Sequence, residues 1–265
     1  MDFTGFETRG IVLLGCGRMG GALLAGRGGL GAAVARHVAA SGGSVAVLDR
    51  DAGGQALARE IGGRFVALDV TDAAACAAAL AEVAGTGRLD LMVNCAGVAP
   101  GAKTVGRDGA HDPDLFARAI AINLTGTFNC ASAAAAIMAR QEGRGSDRER
   151  GVIVNTASVA AFEGQVGQVA YAASKGGVAA MTLPMARDLA SLGIRVVAIA
   201  PGLFLTPMLQ GLPPEVRDSL GGQVPYPPRL GRPEEFALLV EQIARNPMLN
   251  GEVIRLDGAI RMAPR

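Results

Sequence analysis

The sequence predicts an α/β fold: one parallel, doubly wound sheet of about seven strands with helices on both faces. Three observations predict it. Short β-rich runs alternate along the chain with longer Ala-rich runs, the rhythm of strand–helix–strand crossovers. Stretches such as "VIVNTA" and "VVAIA" are unbroken apolar runs, as strands covered on both faces are. Two glycine-rich loops stand near the start, "GCGRMG" at 15–20 and "AGRGGLG" at 25–31. Such a loop joins the first strand of a Rossmann-type domain to its first helix.

The 265 residues fit one domain, 1–265, with an atypical segment at 1–20. The first strand is expected at the short "GALLA", just before the second glycine loop. Further strands are expected at Val45–Leu48, Phe65–Leu68, Leu89–Asn94, Val152–Thr156, Val196–Ala200 and Val253–Leu256. Helices fill about 32–41, 53–61, 72–84, 114–139, 168–191 and 233–245. Pro233 followed by Glu234 and Glu235 is a sound helix start. Residues 140–151 are polar and Gly-containing and read as an exposed loop. Residues 203–230 are apolar, rich in proline and without period, the character of a substrate loop or lid.

Distance chooses between the glycine loops. The second strand of a dinucleotide unit ends in an acid about 20 residues after the loop, which binds the ribose hydroxyls. That acid is Asp49, which lies 34 residues after Gly15 but 23 after Gly26 and 18 after Gly31. The spacing selects Gly26, Gly28, Leu30 and Gly31 as the phosphate loop. The run 15–20 is then an N-terminal extension, or part of an insertion in the loop if "GIVLL" is the true first strand. Asp49 would repel a 2′-phosphate, so NAD is expected rather than NADP; Arg50 beside it would soften that preference if it faced the ribose, but it reads first as a solvated surface side chain.

Composition excludes several classes. Lys and Arg total 25 against 24 Asp and Glu, so nothing points to nucleic acid or an anionic membrane. No run approaches the ~18 uninterrupted apolar residues of a membrane span. The first residues lack the chemistry of a targeting segment, and a cytoplasmic location is expected. High Ala, Gly and Arg hint at a GC-rich bacterial source. Cys16, Cys76, Cys95 and Cys130 are widely spaced and read as free thiols. His37 and His111 have no ligand-like neighbours, so neither a zinc site nor a Ser-His-Asp triad is expected, and no metal.

The strongest chemical signal is "NTASVAAFEGQVGQVAYAASKGG" at 155–177. Tyr171 and Lys175 are four apart on an expected helix and share a face. Ser158 closes the preceding strand. An ammonium beside the phenol would favour phenolate, and a hydroxyl opposite would polarise a carbonyl. Together they form a proton-transfer device suited to work beside a hydride carrier.

At these residues, with "DV" at 69–70, "NCAG" at 94–97, "INL" at 122–124 and "PG" at 201–202 with Thr206, the chain resembles the short-chain dehydrogenase/reductase family from about Gly26 onward. By that resemblance Tyr171 is the general acid/base, Ser158 holds the reacting oxygen, Lys175 lowers the Tyr171 pKa and binds ribose, and Asn123 supports a relay water. It implies that Asp69, Val70 and Cys95 line the adenine and ribose and that Phe204 and Thr206 cover the nicotinamide end. Asn94, Ala96, Gly97 and Pro201 also bind the cofactor by the same resemblance, and Gln168 joins Ser158 and Tyr171 at the substrate. "YAASKGG", "MTLPMARDLA" and "LNGEVIRLDGAIRM" look like the type II 3-hydroxyacyl-CoA dehydrogenases, a group that includes type-10 17β-hydroxysteroid dehydrogenase. This implies NAD-dependent interconversion of 3-hydroxyacyl-CoA and 3-ketoacyl-CoA, with steroids for some members, by a homotetramer. The glycine loop departs from the family: Leu24-Ala25 stand where Thr-Gly is expected. "VLLGCGRMGGALLAG" is similar instead to the opening of pyrroline-5-carboxylate reductases, over some 15 residues. Two alternatives stay open: a 3-ketoacyl-carrier-protein or small-ketone reductase, and a non-catalytic nucleotide-binding or assembly protein.

Overall fold

A computed structural model describes residues 10–14, 29–85, 87–107 and 109–264. Seven strands form one sheet, every pairing parallel. They are β1 (Gly10–Leu14), β2 (Ser44–Asp49), β3 (Arg64–Ala67), β4 (Leu91–Asn94), β7 (Gly151–Thr156), β8 (Ile194–Pro201) and β9 (Val253–Leu256). β5 (Val105–Gly106) and β6 (Gly109–Ala110) form a separate hairpin. The sheet order is β3-β2-β1-β4-β7-β8-β9. The chain therefore winds outward from β1 and returns to lay β4 on its other side. A crevice opens where the winding reverses, at the carboxyl ends of β1 and β4.

The helices are α1 (Leu30–Ala40), α2 (Gly53–Glu60), α3 (Ala73–Ala84), α4 (Pro113–Ile120), α5 (Gly126–Met138), α6 (Val169–Ala190), α7 (Pro207–Gln210), α8 (Pro214–Gly221) and α9 (Pro233–Arg245). Their placement follows from the strands. Val45, Val47, Val152, Val154, Val197 and Ile199 point into one core with Val34 of α1, Leu57 of α2 and Phe236 and Val240 of α9. Alternate neighbours Ala46, Leu48, Ile153 and Val196 point the other way, onto Leu80 of α3, Met138 of α5 and Met185 of α6. This two-sided burial is why the strands read as continuous apolar runs.

Three expectations are corrected. The first strand is "GIVLL" at Gly10–Leu14, paired with β2 and β4 at the centre of the sheet, and not "GALLA". A β-branched, apolar run fills a site flanked on both sides better than Gly-Ala-Leu-Leu-Ala does. The segment expected to be an N-terminal extension thus carries an interior strand, between β2 and β4. The expected helix 114–139 is α4 and α5 joined through a π-helical turn at Ala121–Thr125. The lid 203–230 contains two short helices, α7 and α8, each started by a proline. Pro113–Met138 is long and apolar enough to cross a membrane by composition. In the fold, Cys130, Ala131, Ala134 and Met138 of that stretch are wholly buried under the sheet, as in a core helix.

Candidate active site

β7 runs out at Thr156, and Ser158 two residues on is extended and starts a short 3-10 turn at Val159–Ala161. Its Oγ accepts from the Ala160 amide at 3.1 Å, which caps the turn and fixes the rotamer. α6 follows, and Tyr171 and Lys175 stack one turn apart on its buried side. Lys175 is almost wholly buried, and its Nζ donates to the Thr156 carbonyl at 2.6 Å. That bond ties α6 to the end of β7 and brings Lys175 to the strand that delivers Ser158. Ser158 and Tyr171 share a side-chain hydrogen bond. The spacing seen in the sequence therefore converges on one place.

Electrostatics correct one expectation. Burial pushes the Tyr171 hydroxyl above its ordinary value, and only the Ser158 hydrogen bond opposes it. The lowering expected from Lys175 is not seen. Burial pulls Lys175 itself down to about 8, and its ammonium is engaged by Thr156. Desolvation penalises both charges at once.

Asn123 sits in the π turn with no exposed surface. A π turn sets one residue out of helical phase, as at many functional sites. The Asn123 Oδ1 accepts from Val98 N at 2.7 Å; its Nδ2 donates to Val98 O at 2.8 Å and to Ser174 Oγ at 2.9 Å. It thereby pins the segment that follows β4 to α6. Gly97 lies between: a Cβ there would stand 3.2 Å from Asn123 Oδ1 and 3.6 Å from Lys175 Nζ.

Beside this cluster a cavity of about 300 Å³ opens at the ends of β2, β3 and β4. It is lined by Asp49, Arg50, Asp51, Asp69, Val70 and the Ala96–Val98 backbone, among others. Asp49 and Asp69 stand where a dinucleotide's adenosine half would reach, and the bare Gly97 leaves room for a ligand's approach to Lys175. These residues fit the adenosine half of a nicotinamide dinucleotide. Asp69 is held ionised below its usual range, first by the Thr71 amide and hydroxyl. Arg50 reaches it from across the mouth at 3.5 Å.

The remaining expected residues fall in several places. Gly26 and Gly28, with the run Gly15–Gly20, lie outside the described residues. Leu30 and Gly31 are buried in the first turn of α1, and Gly29 is its N-cap. β1 ends at Leu14, so both glycine runs belong to one connection, 15–29. Asn94 is turned inward, its Nδ2 on Asn155 Oδ1 at 2.8 Å. Cys95 lies against the Thr156 hydroxyl at 3.5 Å, and burial holds its thiol up at about 11. Pro201 ends β8. The Phe204 ring is packed in the core against Gly231. The Thr206 amide bonds the Phe204 carbonyl at 2.7 Å. Gln168 caps the Gln165 amide ahead of Tyr171.

Sequence reasoning missed a strap. Glu163, in the turn that follows Ser158, is gripped by Arg255 at 2.8 and 3.2 Å and accepts from the Met262 amide at 2.9 Å. Gln165 Nε2 bonds Ala263 O at 2.9 Å, and Val166 N bonds Pro264 O at 3.0 Å. No local spacing could reveal contacts nearly a hundred residues apart. Thr156 and Ser174, which meet Lys175 and Asn123 across 19 and 51 residues, were also missed, because these contacts join separate elements.

Comparisons with known proteins agree with this geometry. A family model described as short chain dehydrogenase matches residues 22–217, starting beyond β1. The 3-hydroxyacyl-CoA dehydrogenase type-2 of Homo sapiens is 52% identical over 90% of this chain and 94% of its own length. The Drosophila melanogaster protein of that name is 51% identical over 90% and 96%. A crystal structure of 3-hydroxyacyl-CoA dehydrogenase type-2 from Mycobacterium avium superposes with a TM-score of 0.88 at 40% identity, covering 98% of each chain. The relatives at 51–52% identity are animal proteins, so the expected bacterial source draws no support from them. The chain belongs to the short-chain dehydrogenase family and is an oxidoreductase.

Proposed function

We propose that the protein interconverts 3-hydroxyacyl-CoA and 3-ketoacyl-CoA with NAD as hydride carrier, and that its apolar lid also admits hydroxysteroids. The observation that carries this reading is the convergence of Ser158, Tyr171, Lys175 and Asn123 in one buried cluster beside the Asp49 cavity. The names of the relatives support the acyl-CoA substrate.

Ser158 donates its hydroxyl hydrogen to the substrate oxygen and holds it against Tyr171. The Tyr171 oxygen takes the proton from the substrate alcohol in oxidation and returns it to the carbonyl oxygen in reduction. The nicotinamide ring, when bound, accepts or gives the hydride. Lys175 holds the ribose and ties α6 to the end of β7 through Thr156, and the buried surroundings exclude water. Three carboxylates, Asp49, Asp51 and Asp69, line the cavity against one guanidinium, Arg50. That balance disfavours a 2′-phosphate and supports NAD over NADP. We also infer one domain over 1–265 and a homotetramer, which would cover the exposed Phe128 and Leu183 on α5 and α6.

The test is NADH formation against a panel of 3-hydroxyacyl-CoA esters and hydroxysteroids, with Tyr171→Phe beside the natural chain. Turnover of the acyl-CoA esters that vanishes in Tyr171→Phe, while NADH binding survives, is the expected result. Near-normal rates in the variant would refute the assigned role.

A further inference from the structure

Two thiols that this chemistry does not use meet behind the cavity wall. Cys76 of α3 and Cys130 of α5 are both fully buried, with their Sγ atoms 3.4 Å apart. Cys76 Sγ also donates to the Val70 carbonyl at 3.5 Å, which accepts a second bond from Asn129 Nδ2 at 3.0 Å. Val70 lines the cavity. It lies flat on Gly126 of α5, where a Cβ would come within 2.5 Å of its Cγ2.

The contact makes the sulfurs unequal. The hydrogen bond between the two sulfurs, in which either can donate, pulls the Cys76 pKa down against burial. The same bond and burial push Cys130 up. One sulfur is readied as nucleophile and the other keeps its proton. The residues flanking Cys76 on α3 are largely exposed, so a single helix separates the pair from solvent.

We propose that Cys76 and Cys130 are a modification site: a dithiol that a hydroperoxide oxidises to a disulfide, stapling α3 to α5 beneath Val70. The Cys76 sulfur attacks one peroxide oxygen, the O–O bond breaks, and Cys76 becomes a sulfenic acid as water or an alcohol leaves with the thiol proton. The Cys130 sulfur then attacks the Cys76 sulfur, the S–O bond breaks, and hydroxide departs as water with the Cys130 proton. The two thiols lose two electrons and two hydrogens, and the peroxide takes both electrons. The sulfurs close from 3.4 Å to a bond length of about 2.05 Å, within reach of side-chain rotation. The bridged residues are 54 apart in sequence, so the bond also restricts the unfolded chain.

The test treats the full chain with hydrogen peroxide and reads intact mass, the peptide map and the guanidinium unfolding midpoint. Two hydrogens, about 2 Da, should be lost, with one linked peptide joining Cys76 to Cys130 and a raised midpoint. Dithiothreitol should reverse all three, and Cys130→Ala and Cys76→Ala should show none. An unchanged mass in the natural chain, oxygen adducts in place of the link, or a link through Cys16 or Cys95 would overturn the proposal. The readout needs neither substrate nor cofactor, so its failure leaves the dehydrogenase reading standing.

Discussion

Replacing Asn123 with Ala removes three buried hydrogen bonds in one step. The side chain is wholly enclosed, and its two bonds to Val98 and one to Ser174 span 2.7 to 2.9 Å. At about 1 kcal/mol net per bond the truncation costs about 3 kcal/mol. The partners left behind set the order: the Val98 amide and carbonyl both lose the Asn123 side chain, while Ser174 Oγ keeps its bond to the Tyr171 carbonyl at 2.8 Å. The assay is guanidinium unfolding of Asn123→Ala beside the natural chain, comparing midpoints at a common slope. NADH titration in parallel should show weaker binding, because Val98 and Gly97 line the cavity. A stability loss below about 1 kcal/mol at unchanged slope would refute the reasoning, since water would then be replacing the amide at little cost.

Three further outcomes follow from the same geometry. Asp49→Ala should raise the rate with NADPH relative to NADH; an unchanged ratio would remove Asp49 from the ribose. Glu163→Gln should cut kcat several-fold with NADH affinity unchanged, because the strap holds the Ser158 turn and the cavity lies elsewhere; equal losses in both would mean general loosening. Burial lowers Lys175 from the ordinary 10.5 to about 8. Between those values the unfolded chain binds a proton that the folded chain does not, so stability from this residue rises with pH across that window. Below pH 8 both states are protonated and this contribution is flat. Lys175→Met should flatten the rise in unfolding midpoints between pH 8 and 10, and a slope equal to that of the natural chain would count against a desolvated ammonium.

The proposed catalytic set was legible because its geometry is local. Tyr171 and Lys175 are one helical turn apart, and Ser158 lies two residues past a strand whose apolar run marks it as buried on both faces. The first strand was not. The distance from loop to Asp49 assumes a short connection between β1 and α1, and here that connection is residues 15–29, long enough to hold both glycine runs. Spacing therefore favoured a strand at "GALLA" while hydrogen bonding selected "GIVLL". The π turn at Ala121–Thr125 was hidden because helical period survives on either side of it. Tyr171 lacks the lowering expected from Lys175 because sequence conveys adjacency but not desolvation. The Cys76–Cys130 contact depends on how α3 lies on α5, which no spacing encodes.

The strap also orders events during synthesis. When residue 175 has been made, Ser158, Tyr171, Lys175 and Asn123 all exist in the nascent chain. The groups that fix the Ser158 turn come much later: Arg255 is 92 residues beyond Glu163 and Met262 is 99. β8 and β9 must be laid into the sheet before either can arrive. A nascent chain of residues 1–200 therefore contains the proposed catalytic side chains and the bonds from Thr156, Ala160, Val98 and Ser174 that hold them, but not the Arg255 and Met262 contacts to the Ser158 turn. A product truncated there would carry the proposed site without its strap.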